Sequence, residues 1–384
     1  MQIKTTSLKG TMDLPGITAF KVISMLMVFL FHQNINLGLS VSQDFLDSSI
    51  SVGATFMVAF IATSGFVLYI KYYQSNMLCN FVALKNFYSK RIKRIIPPYL
   101  LFLFVIYTFN LSFPDTVAKN IVMFPMEVTG IQAFFSKSFN ILGNGGTWFI
   151  TVILFLYFLF PLFSYIIKNM SNHALLVLFI LLYFFCSYHS IFMAYFGGDF
   201  SSYYANPVMR IPEFVAGMIT AKYYLIKKER KKLIKSTYAG MICILAFAVY
   251  LCGTAVLYNL HYFNNIVFEK NYTFYNFLVF PIFIVLIYCF ACIRSGFFFR
   301  LFSLKIISFM GTISYCFYLT QTFSNRLLAY WRSVNIFDAI LSTDKGILFL
   351  GFLLNLLFAI LLYFVSKFIS EKIFMKLNQK GTPI

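Results

Sequence analysis

Apolar runs of about 20 residues, the length that crosses roughly 30 Å of hydrocarbon, recur from Gly16 to Lys367 with short polar gaps between them. The pattern predicts an all-α, polytopic membrane protein of about ten transmembrane helices. The expected spans are 17–37, 50–70, 95–112, 148–167, 174–194, 207–225, 237–258, 275–293, 306–322 and 346–366. The gaps leave no room for an independent soluble domain, so residues 1–384 read as one integral membrane domain with its core at 16–367. The first run follows a short polar leader, contains Lys21 and His32 and lacks a small-residue cleavage site. It is expected to stay as a helix rather than leave as a signal peptide.

An even number of spans puts both termini on one side, and charge says which. Segments assigned to the cytosol carry most of the 31 lysines and arginines: Lys4 and Lys9, the stretch from Lys71 to Arg94, Lys168, the run from Lys222 to Lys235, then Arg294, Arg300, Lys305 and the tail. The outer segments carry only Lys119, Lys137, Lys270, Arg326, Arg332 and Lys345, while Lys21 and Arg210 fall inside spans. This asymmetry is the positive-inside rule with both termini cytosolic. The net charge of +19, which would suggest nucleic acid in a soluble protein, is therefore a topology signal, and no nucleic-acid partner is expected. Lys227 to Lys232 reads as a cytosolic loop beside anionic membrane lipid. A hydrophobic share of 60% with 11% charged residues, against roughly 25% charged in soluble domains, agrees with this. The seven cysteines lie mostly in apolar runs with no metal-ligand or disulfide spacing, so they are assigned no chemistry and no metal is expected.

A charge at the centre of a lipid-facing helix costs at least about 2.5–3.5 kcal/mol, so ionisable residues within spans are functional candidates. Lys21, His32, Arg210 and Glu213 stand out. Eleven residues separate Lys21 from His32, which brings them to within about 20° of one direction and about 16 Å apart along a helix. Lys21 then lies near the cytosolic mouth and His32 nearer the outer leaflet, with a snorkelling lysine and a satisfied buried histidine as the bland alternatives. Arg210 and Glu213, at i, i+3, enter the sixth span from outside. They can form a structural ion pair, or Glu213 can orient an imidazole or an acceptor hydroxyl.

Arg91 and Arg94 share a helix face at the entry to the third span. Paired guanidinium forks suit the phosphates of a nucleotide-bearing donor, while plain topological anchoring explains them equally well. Pro97-Pro98 is expected to break the helix there. The outer loop Gly143-Asn144-Gly145-Gly146-Thr147 ends in Trp148, which reads first as an interfacial belt tryptophan. Ser64-Gly65 within the second span reads first as close helix packing.

Taken in order, these marks resemble the acyltransferase type 3 family of membrane O-acyltransferases that act on surface glycans, from about Gly16 to Leu319. The opening Lys21 to His32 segment is similar to that family's arginine followed eleven residues later by histidine, with lysine in the arginine's place. Thr63-Ser64-Gly65-Phe66, Arg91-Ile92-Lys93-Arg94, Trp148-Phe149, Arg210 to Phe214, and Gly311 to Leu319 with Tyr315 and Tyr318 follow its later motifs. Gln321 occupies a place where many members carry histidine.

The resemblance implies a multi-pass protein of the bacterial cytoplasmic (inner) membrane that moves an acyl group from acyl-CoA, chiefly acetyl-CoA, to a glycan or lipid-linked saccharide. It places the donor phosphates at Arg91, Arg94 and Lys21, and a general base or acyl relay at His32. Glu213 and Arg210 are assistants, and Trp148, Ser64, Tyr315, Tyr318 and Gln321 line the path. A homo-oligomer is left open. The competing readings are a lipid-linked glycan flippase or transporter and a polysaccharide polymerase.

Overall fold

The structure, a computed structural model, describes residues 14–37, 49–110, 117–135, 146–196, 204–259 and 272–379. The first part of the expected outer loop, Gly143-Asn144-Gly145, lies outside these residues. Among the described residues regular structure is helical throughout. The principal helices are α1 (Pro15–Leu37), α2 (Phe56–Tyr72), α3 (Phe81–Asn110), α4 (Val117–Thr129), α5 (Trp148–Asn169) and α6 (Asn172–Phe196). They continue with α7 (Ile211–Glu229), α8 (Ser236–Asn259), α9 (Tyr272–Cys292), α10 (Gly296–Phe302), α11 (Lys305–Ser333) and α12 (Asp344–Gln379).

Six of these helices are long and apolar enough to cross a membrane, namely α1, α2, α3, α5, α8 and α12, and α9 with α10 makes a seventh if that pair, bent by 96°, is one span. The outer surface fits a lipid solvent. Phe104, Phe158, Leu181, Leu245 and Phe349 are all at least 60% exposed, an arrangement that water would penalise and hydrocarbon does not.

Two further helices, α7 and α11, carry polar side chains that count against them by hydropathy; α7 is largely buried, and the buried residues of α11 lie between Met310 and Leu328. In α11 the hydroxyls of Thr312, Thr320 and Ser324 donate back to the carbonyls of Ser308, Cys316 and Thr320. Such bonds satisfy polar groups without water. Asn355 of α12 adds cross-helix bonds, accepting from Thr320 at 2.7 Å and donating to the Phe317 carbonyl at 3.1 Å.

The most extensive packing joins α2 to α7, and α11 to α12 and α1. The α2–α7 crossing depends on two glycines. A Cβ on Gly217 would stand 1.9 Å from the Ala62 carbonyl oxygen, and one on Gly65 would stand 2.1 Å from that of Phe214. Small residues let the backbones close, as in other membrane helix pairs, and the crossing turns Ser64 away from α7 and toward α5, where its hydroxyl meets that of Tyr157 at 3.0 Å.

Two expectations need correction. Pro97 and Pro98 do not end a helix: α3 runs unbroken from Phe81 to Asn110. They remove the donors that would meet the carbonyls of Lys93 and Arg94, while Tyr315 of the neighbouring α11 donates to the Ile95 carbonyl at 3.1 Å. Packing of this kind is how prolines are tolerated inside membrane helices. Helix α11 also continues past the expected span to Ser333 and takes Arg326 into the helix.

Candidate active site

Lys21, Arg94 and Tyr315 stand on the walls of two cavities at once. The larger, a vestibule of about 750 Å³, lies between the start of α1, the middle of α3, the start of α11 and the later part of α12. The smaller, a neck of about 120 Å³, is walled by α1, α2, α3, α5 and α11. The shared residues make the neck a continuation of the vestibule.

The vestibule is basic. Lys21, Lys93, Arg94 and Lys367 line it against a single acid, Glu371, with Ser308 and Thr312 as further polar groups. Four cations around one concavity suit a polyanion, and a phosphate-rich nucleotide has that chemistry. Lys93 and Lys367 were not legible as site residues in the sequence. Lys367 lies far along the chain, and only the packing of α12 against α11 and α3 brings it there.

Arg91 and Arg94 occupy one helix but have separate surroundings. Arg94 reaches both cavities, whereas Arg91 lines only the neck. There Nη2 of Arg91 donates to the Tyr72 hydroxyl at 3.1 Å. Its guanidinium lies 5.6–5.8 Å from the ring centres of Tyr72, Phe87 and Tyr157, an aromatic box that holds it by cation–π attraction.

The neck continues along one face of α11. Gly311 and Tyr315 stand in the vestibule, Tyr315 and Tyr318 in the neck, and Gln321 follows at the next turn, in register with the 3.6-residue period. Ser64 lines the neck as well. Beyond it, Gln321 faces the imidazole of His32 within interaction range. Nδ1 of His32 and Oε1 of Gln321 nevertheless both lack a well-formed hydrogen bond, and Nε2 of Gln321 donates to the Tyr318 carbonyl at 2.9 Å. The backbone at His32 is held from α11, where Nδ2 of Asn325 donates to the His32 carbonyl at 3.3 Å and Oδ1 of Asn325 accepts from Gln33 at 2.5 Å. His32 is not on the wall of either cavity; it lies at the far end of the α11 face that they share.

Arg210 and Glu213 form a separate cluster. Nη1 of Arg210 donates to Oε1 of Glu213 at 2.5 Å, and Nε donates to the Tyr204 carbonyl at 2.7 Å. The guanidinium lies 4.6 Å from the Tyr204 ring centre and 5.5 Å from that of Trp148. Glu213 bonds to Arg210 and not to His32. Trp148 is 3% exposed, so it is a buried partner of Arg210 and Tyr204 rather than a belt residue at the membrane surface. It lines neither the vestibule nor the neck, although its neighbour Phe149 lines the neck.

One acid escaped the sequence reading. Glu127 of α4, which falls between the expected spans 95–112 and 148–167, is fully buried. Its carboxylate accepts from the Thr147 hydroxyl at 2.7 Å and from the Tyr107 hydroxyl, and it interacts electrostatically with Arg326. Gln132 donates to the Thr147 carbonyl at 2.9 Å, and Tyr318 donates to the Gly146 carbonyl at 2.9 Å. Glu127 thus holds the Gly146-Thr147 segment against α11 where the neck ends. A signal was present in its apolar setting, Phe124-Pro125-Met126-Glu127-Val128.

Residues 14–368 match the model of a family described as acyltransferase domain. No curated protein and no solved structure matches the chain.

Proposed function

Because the chain belongs to this acyltransferase family, we propose that it moves an acyl group, acetyl in the first instance, from cytosolic acyl-CoA to a hydroxyl of a cell-surface or lipid-linked polysaccharide. The observation that carries this reading is the basic vestibule joined to a narrow neck through Lys21, Arg94 and Tyr315. A nucleotide donor needs cations for its phosphates and a slender passage for its thioester arm, and the two cavities offer these in that order. Lys21, Lys93, Arg94 and Lys367 hold the phosphates, and Arg91 stands at the neck beside the arm.

His32, about 16 Å outward from Lys21, receives the thioester. Its neutral imidazole takes the proton of the sugar hydroxyl as that oxygen attacks the thioester carbonyl. The new C–O bond forms, the C–S bond breaks, and the imidazolium returns the proton to the CoA sulfur. Gln321 is the polar side chain beside the ring, while Arg210 and Glu213 keep Trp148 and the outer end of α7 in place.

Under this reading all ten expected spans cross the bacterial inner membrane, with both termini in the cytosol. Helices α7 and α11 cross too, because their polar groups are satisfied within the bundle. The vestibule then opens on the side that carries the basic loops.

The test is transfer of labelled acetyl from acetyl-CoA in inside-out vesicles with the host's lipid-linked glycans present. Wild-type protein should place label in a base-labile glycan ester, and His32→Ala at equal membrane level should not. Full activity in His32→Ala ends the base assignment. Absence of label with either protein, once donor and acceptor have been varied, favours a transporter.

A further inference from the structure

Four helix ends enclose a cleft that takes no part in the proposed transfer. It measures about 630 Å³ and lies between the start of α6, the last part of α7, the start of α8 and the end of α9. Leu175, Phe179, Ile219 and Ile284 make its walls apolar, and two cations, Lys227 and Arg230, stand among its lining residues. No Asp or Glu is among them.

The proportions match one leaflet. Ile219 and Arg230, both on the wall, are separated by about 16 Å along α7, and half of a hydrocarbon core is about 15 Å. The cleft opens sideways, because Leu176, Tyr223 and Val285 on its walls are 58%, 49% and 44% exposed. The cations lie at one end of this slot. Lys227 is 5.0 Å from the ring centre of Tyr223, and α7 stops just beyond it in a tight C-terminal cap. There the Lys232 amide donates to the Lys227 carbonyl at 2.8 Å and the Lys231 amide to that of Lys228 at 3.0 Å, the Schellman pattern, with Lys231 left-handed at φ 55°. Arg230 sits at the cap itself.

We infer that this cleft is a binding site for one anionic glycerophospholipid, its chains in the apolar slot and its phosphate between Lys227 and Arg230. The lining holds no carboxylate to pair with a choline or ethanolamine ammonium, and Lys227 already lies over the Tyr223 ring, so a net-negative headgroup is preferred over a zwitterionic one. This goes beyond a basic loop lying near a charged surface, because it assigns one lipid to one place and separates Lys227 and Arg230 from their neighbours Lys231 and Lys232, which do not line the cleft.

The experiment is native mass spectrometry of the delipidated full chain, titrated with dioleoyl phosphatidylglycerol, dioleoyl phosphatidylcholine, or glycerol 1-phosphate as the headgroup alone. Wild-type protein should retain one phosphatidylglycerol at least about tenfold more tightly than phosphatidylcholine, roughly the effect of 1.4 kcal/mol, and glycerol 1-phosphate should not compete. Lys227→Gln with Arg230→Gln should remove the preference, while Lys231→Gln with Lys232→Gln, equal in charge lost, should keep it. Leu176→Trp, which narrows the side opening and leaves both cations, should weaken retention in protein that stays monodisperse. The assignment is overturned by equal retention of the two lipids, equal loss in the two charge variants, competition by glycerol 1-phosphate, or unchanged retention in Leu176→Trp.

Discussion

Arg210 and Glu213 form an ion pair of 2.5 Å one helical turn apart, and both are nearly sealed from the surface, at 1% and 4% exposed. Removing one partner of such a pair leaves an uncompensated buried charge, at a cost of about 3–5 kcal/mol, whereas replacing both with apolar groups is far milder. Glu213→Gln and Arg210→Met should therefore each lower the yield and thermal midpoint of detergent-purified protein sharply, and Arg210→Met with Glu213→Leu should recover much of the loss. A Glu213→Gln protein of wild-type stability that is inactive would instead give this carboxylate a part in the chemistry.

Lys367 stands in the vestibule wall on α12. A hydrogen bond to a charged group contributes about 1.5–3 kcal/mol, so Lys367→Gln should raise the acyl-CoA KM by about tenfold or more. It should leave kcat near wild type, the mark of lost ground-state binding. Arg94→Gln should act in the same sense. Steady-state kinetics over a range of acetyl-CoA concentrations decide it.

Gln321 faces His32, so Gln321→Leu should leave the ring without its polar neighbour. The expected result is a fall in kcat of about tenfold, or about 1.4 kcal/mol in the barrier, with little change in donor KM. Gln321→Asn, one methylene shorter, should not restore the rate. Rates equal to wild type in both variants would remove Gln321 from any positioning role.

Gly217 meets the Ala62 carbonyl with no space for a methyl group. Gly217→Ala should cost about 1–3 kcal/mol through overpacking, seen as a lower thermal midpoint.

Lys231 is the converse case, a side chain in a left-handed conformation. Lys231→Gly should be neutral or stabilising by up to about 1 kcal/mol. Together the two variants test whether backbone geometry limits α7 at its crossing and not at its end.

Much of this architecture is written locally. Apolar runs announce α1, α2, α5, α8 and α12, and Lys21 and His32 share α1, although only Lys21 lines the cavities. What the sequence hides is long-range. Lys367 joins Lys21 across nearly the whole chain, and no periodicity within α12 marks it. Glu127 looks like a loop acid until Thr147, Tyr107 and Arg326 close around it. Trp148 has the position of a belt residue, and its burial follows only from the partners Arg210 and Tyr204. Pro97-Pro98 carries a strong local signal to stop, and the surrounding bundle overrides it.

The neck is small beside the vestibule, about 120 Å³ against 750 Å³, and Phe60, Phe149, Tyr157, Tyr315 and Tyr318 crowd its wall. An ion moving through such a gap would have to shed its hydration shell against aromatic side chains, next to the fixed positive charges of Lys21, Arg91 and Arg94. Those charges would oppose a cation and hold an anion. If acyl transfer runs through this neck, the cell gains a cytosol-fed reaction on its outer face without an electrical leak, and its membrane potential stays intact while the cargo crosses.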